Sequence, residues 1–256
     1  MKPTLYPDVN SALNKLLDGI RQILKAKLVG LYLDGSLVIG DYDPGISDID
    51  LVASISGDIT DPELSELLKF HSEFAIYNPD WDDRIEVCYI TVKALGKVRS
   101  ETSTIVNISP GEPLHRKESS KEWLSNWYLT REKSITLFGP SPKEIIESIS
   151  KDEFIQSIVN HVRSWDKWLH DMPKNSFAQS YVILTLCRAL YTYRNGDQVS
   201  KKHAALWAKK ELPEWQDIIQ NALIWRNGPK HSAPDEAAFV ETKKFVDYIR
   251  KLILEA

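Results

Sequence analysis

The pattern of apolar residues divides the chain into a first half that mixes helices with strands and a second half that is helical. In the first half, one long segment has apolar residues at every third or fourth position, as an amphipathic helix does, and Asp8 is expected to cap its N-terminus. Short runs with a strong β pattern, bounded by Gly, Pro and Asp, predict strands. The predicted elements are a helix at 9–24, a strand at 28–33, a strand at 49–55, a helix at 61–77 and a strand at 85–91.

Past about residue 117 the strand pattern disappears and helical spacing takes over. The predicted helices are 119–133, 151–170, 177–193, 200–210 and 236–256. The Pro and Gly residues of 139–142 make the strongest break between the two halves, and we place the domain boundary near residue 150, giving domains 1–150 and 151–256. We therefore predict an α+β N-terminal domain, with a small mixed sheet and flanking helices, followed by an all-α helical-bundle C-terminal domain.

Composition narrows the class of protein. Of 256 residues 43% are hydrophobic, which supports a sizeable core and excludes a disordered chain. The chain has 32 basic and 36 acidic residues, and the resulting net charge of −4 argues against a dedicated nucleic-acid binder. Cys88 and Cys187 each lie in an apolar run and are predicted to be buried free thiols in a reducing compartment. With no window resembling a membrane span, we expect a soluble, cytoplasmic protein.

Acidic residues mark two of the predicted strands. Asp48 and Asp50 are two positions apart, so their carboxylates point to the same side of a strand. Like charges this close raise each other's pKa unless a cation neutralises them, and Mg²⁺ prefers carboxylate and phosphate oxygens. Glu86 lies on another predicted strand, and it adds a third carboxylate if the two strands are neighbours.

A Gly-Ser pair completes this set of candidate residues. Gly35 and Ser36 follow directly after the first predicted strand, where backbone N–H groups and a hydroxyl can hold phosphate oxygens. Each feature alone has a plainer explanation: a turn for Gly-Ser, a solvated strand edge for Asp-x-Asp, a surface residue for Glu86. Their combination in this order favours a site for a metal ion and a phosphate.

The same motifs resemble a known superfamily. Gly35-Ser36, a short loop and the run 47–51 are similar to the signature of the DNA polymerase β-like nucleotidyltransferases. Further blocks resemble the bacterial aminoglycoside adenylyltransferases that act on streptomycin and spectinomycin. These blocks are 130–140, 181–188, Gly196, 200–201 and 204–208. The resemblance extends from about Leu28 to Trp225 and is distant between the blocks.

This resemblance implies a reaction and a set of residue roles. The reaction is transfer of AMP from ATP to a hydroxyl of an aminoglycoside or aminocyclitol antibiotic, with release of pyrophosphate and with two Mg²⁺ ions as cofactor. The implied roles are Mg²⁺ binding by Asp48 and Asp50, base catalysis by Glu86, and nucleotide binding by Gly35, Ser36, Ser47, Arg188, Lys201 and Trp225. From the residues alone, Arg188 is as well explained by a buried carboxylate partner, and Lys201 by a solvated helix start.

Two departures from the family pattern weaken the prediction of the acceptor more than the prediction of nucleotide binding. Asp34 precedes Gly35 where drug-modifying members have an aromatic or similar residue, and the segment 174–180 lacks the acidic pair of the streptomycin-active members. Asp166 and Asp171, farther upstream, are candidates to replace that pair. Two alternatives therefore stay open: a nucleotidyltransferase for another hydroxyl (a lincosamide, a metabolite or a protein side chain), and a non-catalytic nucleotide-sensing module. We expect a monomer with no nucleic-acid or membrane partner.

Overall fold

The computed structural model describes residues 2–228 and 235–255 of the chain. The chain divides into two compact units, Met1–Ile149 and Ser150–Ala256. The first contains a β-sheet with helices and the second is helical.

A mixed six-stranded sheet forms the centre of the first unit. Its strands are β1 (Leu28–Asp34), β2 (Ile49–Ile55), β3 (Ile85–Thr91), β4 (Ser103–Ser109), β5 (Glu112–Ser119) and β6 (Ile135–Phe138). They lie in the order β5-β4-β3-β2-β1-β6. Only the β2–β3 pair is parallel, and every other neighbouring pair is antiparallel. The strands predicted at 49–55 and 85–91 are confirmed, and the first strand extends one residue farther, to Asp34.

Helices cover both faces of this sheet. They are α1 (Pro7–Leu24), α2 (Ser36–Ile39), α3 (Asp61–Tyr77), α4 (Val92–Leu95), α5 (Leu124–Lys133) and α6 (Pro142–Ile145). The expectation that Asp8 caps α1 is wrong, because the N-cap residue is Tyr6 and Pro7 takes the first helical position. Proline is favoured there since its missing N–H would have no partner within the helix, and Asp8 instead lies in the first turn, where a negative charge is stabilising.

Two hydrophobic cores, one on each face of the sheet, follow from the alternation of side chains along the strands. Apolar residues of α1 and α3 pack with Leu51 and Val87 on one face. On the other face Val52 and Cys88 pack with Trp127 of α5, which is 1% exposed. The second face is the one that carries the even-numbered residues of β2 and β3, including both strand carboxylates.

The prediction that no strand follows residue 117 is wrong. β5 continues to Ser119, and β6 pairs with the outer edge of β1, with Leu33 opposite Ile135. A four-residue strand directly after a helix carries too little periodicity to stand out in the sequence, and pairing with the unfilled edge of β1 is what makes it extended. The helix predicted at 119–133 accordingly begins only at Leu124, after a 3-10 turn at Lys121–Trp123.

The second unit is a helical bundle arranged around one buried helix. Its helices are α7 (Lys151–Asp171), α8 (Ser176–Asn195), α9 (Lys201–Glu211), α10 (Gln216–Trp225) and α11 (Glu236–Leu254). α8 packs against the other four helices and contains Cys187, which is a buried free thiol, as Cys88 is in the first unit. Ser150 caps α7 in a capping box with Glu153, and Gly196 ends α8 in the left-handed conformation.

The helix predictions for this unit hold to within a few residues, except that α10 is absent from them. The last predicted helix, 236–256, ends at Leu254 in the structure, and Ala256 lies outside the described residues. Within the described part of the chain, every helix is too short or too polar to cross a bilayer.

Candidate active site

Three carboxylates form a row across one end of the adjacent strands β1, β2 and β3. In the β-ladders, Asp34 of β1 lies opposite Asp50 of β2, and Asp50 lies opposite Glu86 of β3. Neighbouring strands are about 4.8 Å apart, so the three acidic side chains lie close to one another on the same face of the sheet. β3 is thus the direct neighbour of β2, which is the condition under which the sequence predicted that Glu86 would join the two aspartates.

The electrostatic environment of Glu86 is unusual for a glutamate. Its pKa is raised from 4.5 to about 7, first by burial, then by the negative charge of Asp48 and, to a smaller extent, by those of Glu112 and Asp34. Lys117 acts in the opposite direction but does not cancel these effects. A carboxylate with a pKa near the working pH is suited to accept a proton, and its shifted pKa also reports a negative potential that a bound cation would relieve.

The Gly35 turn brings the backbone against this row. Gly35 has φ +68°, and a Cβ atom built there would overlap Oδ2 of Asp50, so only glycine lets the chain pass this close to the carboxylate. The amides of Val38 and Ile39 donate to the Gly35 carbonyl and close the single turn of α2. Ser36, the first residue of that turn, therefore follows directly after the residue in contact with Asp50.

Ser47 lies in the loop that leads into β2 and is only 6% exposed. Its hydroxyl oxygen accepts a hydrogen bond of 3.0 Å from the Asp43 amide, and its own amide donates to the Asp43 carbonyl at 2.9 Å. These bonds make Ser47 part of the loop's internal structure. Its contact with phosphate remains a prediction.

Asp34 has a defined structural role that the sequence did not reveal. One carboxylate oxygen accepts a hydrogen bond of 2.8 Å from the Gly35 amide, and the other accepts one of 2.6 Å from the Thr130 hydroxyl of α5. Burial raises the pKa of Asp34, while these two bonds favour its charged form. The residue was noticeable as a departure from the family pattern, but its partner is 96 positions away in the sequence.

The donor set fits Mg²⁺ held jointly with a nucleotide. In residues 2–228 and 235–255, no three His, Cys, Asp or Glu side chains are grouped as a complete metal cage. Mg²⁺ is ordinarily bound by one or two carboxylates together with substrate phosphates and water, and Asp48 and Asp50 supply hard oxygen donors of that kind. After burial, the negative charge of Asp48 is the largest contribution to the raised pKa of Glu86, so a cation bound beside them would lower that pKa.

Arg188, Lys201 and Trp225 all lie in the second unit. The Lys201 ammonium lies 4.1 Å from the centroid of the Tyr181 ring, and Tyr181 precedes Arg188 by seven residues, or two turns, on α8. Arg188 and Lys201 therefore belong to the same face of the helical unit. Trp225 is half-buried at the last position of α10.

Residues of the segment 174–180 form contacts that stabilise the helical unit. Lys174 forms an ion pair of 2.9 Å with Glu236, and the buried Gln179 accepts a hydrogen bond of 2.7 Å from Thr242. The side chains of Asp166 and Asp171 lie outside the part of the chain for which the structure describes side chains.

Comparison with known proteins gives consistent results for both units. Residues 13–126 match the family model "Nucleotidyltransferase domain", and residues 144–251 match "Aminoglycoside adenylyltransferase, C-terminal domain". An aminoglycoside (3'') (9) adenylyltransferase of Shigella flexneri is 22% identical, with 98% of this chain and 97% of the relative aligned. A spectinomycin 9-adenylyltransferase of Staphylococcus aureus is 26% identical, with 91% of each chain aligned.

A solved structure shares the fold. The crystal structure of spectinomycin adenyltransferase AAD(9) from Enterococcus faecialis, with ATP and spectinomycin, superimposes with a TM-score of 0.77 at 20% sequence identity. The alignment covers 94% of this chain and 99% of that one. With its catalytic-domain motifs, its helical second unit and these relatives taken together, the chain is a nucleotidyltransferase and belongs to the aminoglycoside adenylyltransferase family.

Proposed function

We propose that this protein transfers AMP from ATP to a hydroxyl group of an aminoglycoside or aminocyclitol antibiotic and releases pyrophosphate. The observation that carries the proposal is the alignment of Asp50 with Glu86 on neighbouring strands beside the Gly35 turn. The names of relatives that align over almost the whole chain support the nature of the acceptor.

Glu86 is the proposed base. Its carboxylate accepts the proton of the acceptor hydroxyl, the hydroxyl oxygen forms a bond to the α-phosphorus of ATP, and the bond from that phosphorus to the pyrophosphate oxygen breaks. Asp48 and Asp50 would hold the two Mg²⁺ ions. A bound Mg²⁺ supplies neutralisation of the charge on the phosphate oxygens.

Gly35, Ser36 and Ser47 are the proposed phosphate contacts in the first unit. The missing side chain of Gly35 leaves the backbone open to a ligand, and the hydroxyl of Ser36 can donate to a phosphate oxygen. Their contribution would be to orient the α-phosphorus, since phosphoryl transfer is accelerated chiefly by positioning and by electrostatic stabilisation.

For the second unit we propose that Arg188 and Lys201 bind the triphosphate and that Trp225 contacts the adenine. Lys201→Gln and Arg188→Gln are each expected to raise the KM for ATP about tenfold, since a charged hydrogen bond to an anion contributes about 1.5–3 kcal/mol. Steady-state kinetics with ATP as the varied substrate measures the effect. Lys202→Gln is the matched control, because Lys202 is the exposed next residue of the same helix. An equal KM for the Lys201 and Lys202 variants would contradict the assignment.

The function is tested with purified protein, ATP, Mg²⁺ and a panel comprising streptomycin, spectinomycin, other aminoglycosides and a lincosamide. Pyrophosphate release and a product heavier than the drug by one AMP unit are expected with at least one aminoglycoside or aminocyclitol, and expression in a sensitive host should raise its resistance to the same drug. Product with the lincosamide alone would move the proposal to another hydroxyl acceptor. Tight ATP binding with no product from any compound would replace it with the nucleotide-sensing alternative.

A further inference from the structure

Arg84 occupies the gap between the two segments that carry Asp48 and Glu86. It directly precedes β3, two residues before Glu86. Its Nε and Nη2 donate hydrogen bonds of 3.2 Å and 2.6 Å to the carbonyl oxygen of Ser47. Nη1 donates one of 2.7 Å to the Asp80 carbonyl, and the guanidinium lies 4.7 Å above the Trp81 ring. Each of the three guanidinium nitrogens therefore donates a hydrogen bond to a main-chain carbonyl oxygen.

The backbone of Arg84 makes a second connection to the same segment. The Ile49 amide donates a hydrogen bond of 2.9 Å to the Arg84 carbonyl. Arg84 therefore binds the residue before Asp48 through its side chain and the residue after Asp48 through its main chain. The backbone of Asp48 is held on both sides by one residue.

Asp48 needs such a constraint more than Asp50 does. Asp50 lies within β2, where it is paired in the ladder with β1 and with β3. Asp48 lies before β2 begins, at the end of an irregular loop that follows α2. Because a loop is held less firmly than a strand with two neighbours, the position of the Asp48 carboxylate depends on what anchors the loop's end.

We propose that Arg84 is a positioning residue, which acts through Asp48 by fixing the segment 47–49 against the start of β3. The inference rests on the proposed function only in taking Asp48 as a metal ligand. Lysine cannot replace arginine here, because one ammonium on a flexible stem cannot reproduce a planar fork that bridges two carbonyl groups.

The test measures metal binding and not only turnover. Mn²⁺ serves as a paramagnetic substitute for Mg²⁺, and the electron paramagnetic resonance signal of free Mn²⁺ is followed during titration of the protein with a non-hydrolysable ATP analogue present. Arg84→Lys and Arg84→Gln are each expected to weaken Mn²⁺ binding about tenfold. In an Asp48→Asn background the same replacements should change it less than twofold, because the residue through which Arg84 acts has already lost its charge.

Arg116 provides the matched control. It also donates to a main-chain carbonyl, that of Ile59 at 3.1 Å, and to an exposed carboxylate, that of Asp61 at 2.8 Å, but it lies on β5, away from Asp48. Arg116→Lys and Arg116→Gln are expected to leave Mn²⁺ binding unchanged. Thermal unfolding of every variant separates loss of folding from loss of metal.

Five outcomes decide whether Arg84 positions Asp48. A tenfold loss that depends on Asp48 supports the proposal. A lower Tm with unchanged Mn²⁺ affinity, or an equal loss in both backgrounds, overturns it in favour of a purely structural role. Wild-type protein that does not bind Mn²⁺ with the nucleotide analogue also overturns it. If Mn²⁺ binding follows the expected pattern while no antibiotic is adenylylated, the proposed acceptor fails and the role of Arg84 stands.

Discussion

Glu86→Gln should abolish AMP transfer and at the same time make the nucleotide-free protein more stable at neutral pH. Both effects come from one carboxylate. As the proposed base it accepts the proton of the acceptor hydroxyl, and its removal is expected to lower kcat about 10²–10⁴-fold while ATP binding is retained. As a buried negative charge near Asp48, it opposes folding whenever it is ionised and no cation is bound.

The sign of the stability effect follows from the pKa shift. The pKa of Glu86 is about 7 in the folded protein against an ordinary 4.5, so between these values the folded state holds more protons than the unfolded state. The free energy of unfolding therefore falls as the pH rises through this window and is constant above it. The full shift corresponds to about 3 kcal/mol, and because the side chain is partly exposed we expect about 1–2 kcal/mol.

Thermal unfolding at pH 5 and pH 8, without Mg²⁺ or nucleotide, measures this gain. The Tm of Glu86→Gln should exceed that of the wild type at pH 8 by about 2–8 °C, and the difference should shrink at pH 5. Glu73→Gln is the control, since Glu73 is exposed and paired with Lys69 on α3 and is not among the charges that shift the pKa of Glu86. Wild-type turnover in Glu86→Gln would remove the base assignment, and equal Tm values at both pH values would contradict the electrostatic argument.

Gly35→Ala should reduce both AMP transfer and the stability of the first unit through a single added methyl group. Two costs add: a non-glycine residue at φ +68° is strained by about 1–2 kcal/mol, and the new Cβ overlaps the Asp50 carboxylate. To make room, either the turn or Asp50 must move, and misplacing a reacting group by about 1 Å can cost 10²-fold in rate. We expect a loss of transfer of at least about 100-fold and a loss of stability of about 2–4 kcal/mol.

Gly40→Ala is the comparison variant without an overlap. Gly40 has φ +77° and ψ 27°, in the left-handed helical region, whereas Gly35 has φ +68° and ψ −148°, a region that is essentially restricted to glycine. No atom lies within 4 Å of a Cβ placed at Gly40, so this variant carries only the milder left-handed strain. Chemical denaturation and steady-state kinetics should show a loss near 1 kcal/mol and almost unchanged transfer for Gly40→Ala. If both variants lose the same stability and the same activity, the close approach of Gly35 to Asp50 contributes nothing to stability or to AMP transfer, which would contradict this prediction.

Local patterns were enough to predict the long elements and the identity of the acidic residues. Helical or strand periodicity can be recognised within about a dozen consecutive residues. For that reason the sequence predicted the apolar stripe of α1, the bounds of β2 and β3, and most helices of the second unit. The elements that were missed are short or lie outside clear patterns: β4, β5, β6, α4, α6 and α10. For α10 a signal was present, since Ile218, Ile219 and Ala222 are buried at helical spacing after a proline.

By itself, then, the sequence determined that Asp48 and Asp50 lie two positions apart and that a glycine precedes Ser36, because those relations depend only on spacing along the chain. The structure places Asp50 within β2 and Asp48 in the loop just before it, so the two aspartates do not share a strand as the sequence predicted. Only the tertiary structure decided that β3 is the parallel neighbour of β2, which places Glu86 opposite Asp50, and that Arg84 holds both sides of Asp48. The physical reason is that strand pairing and register are set by burial of both sheet faces and by satisfaction of backbone hydrogen bonds across distant segments, and neither is encoded in a local period.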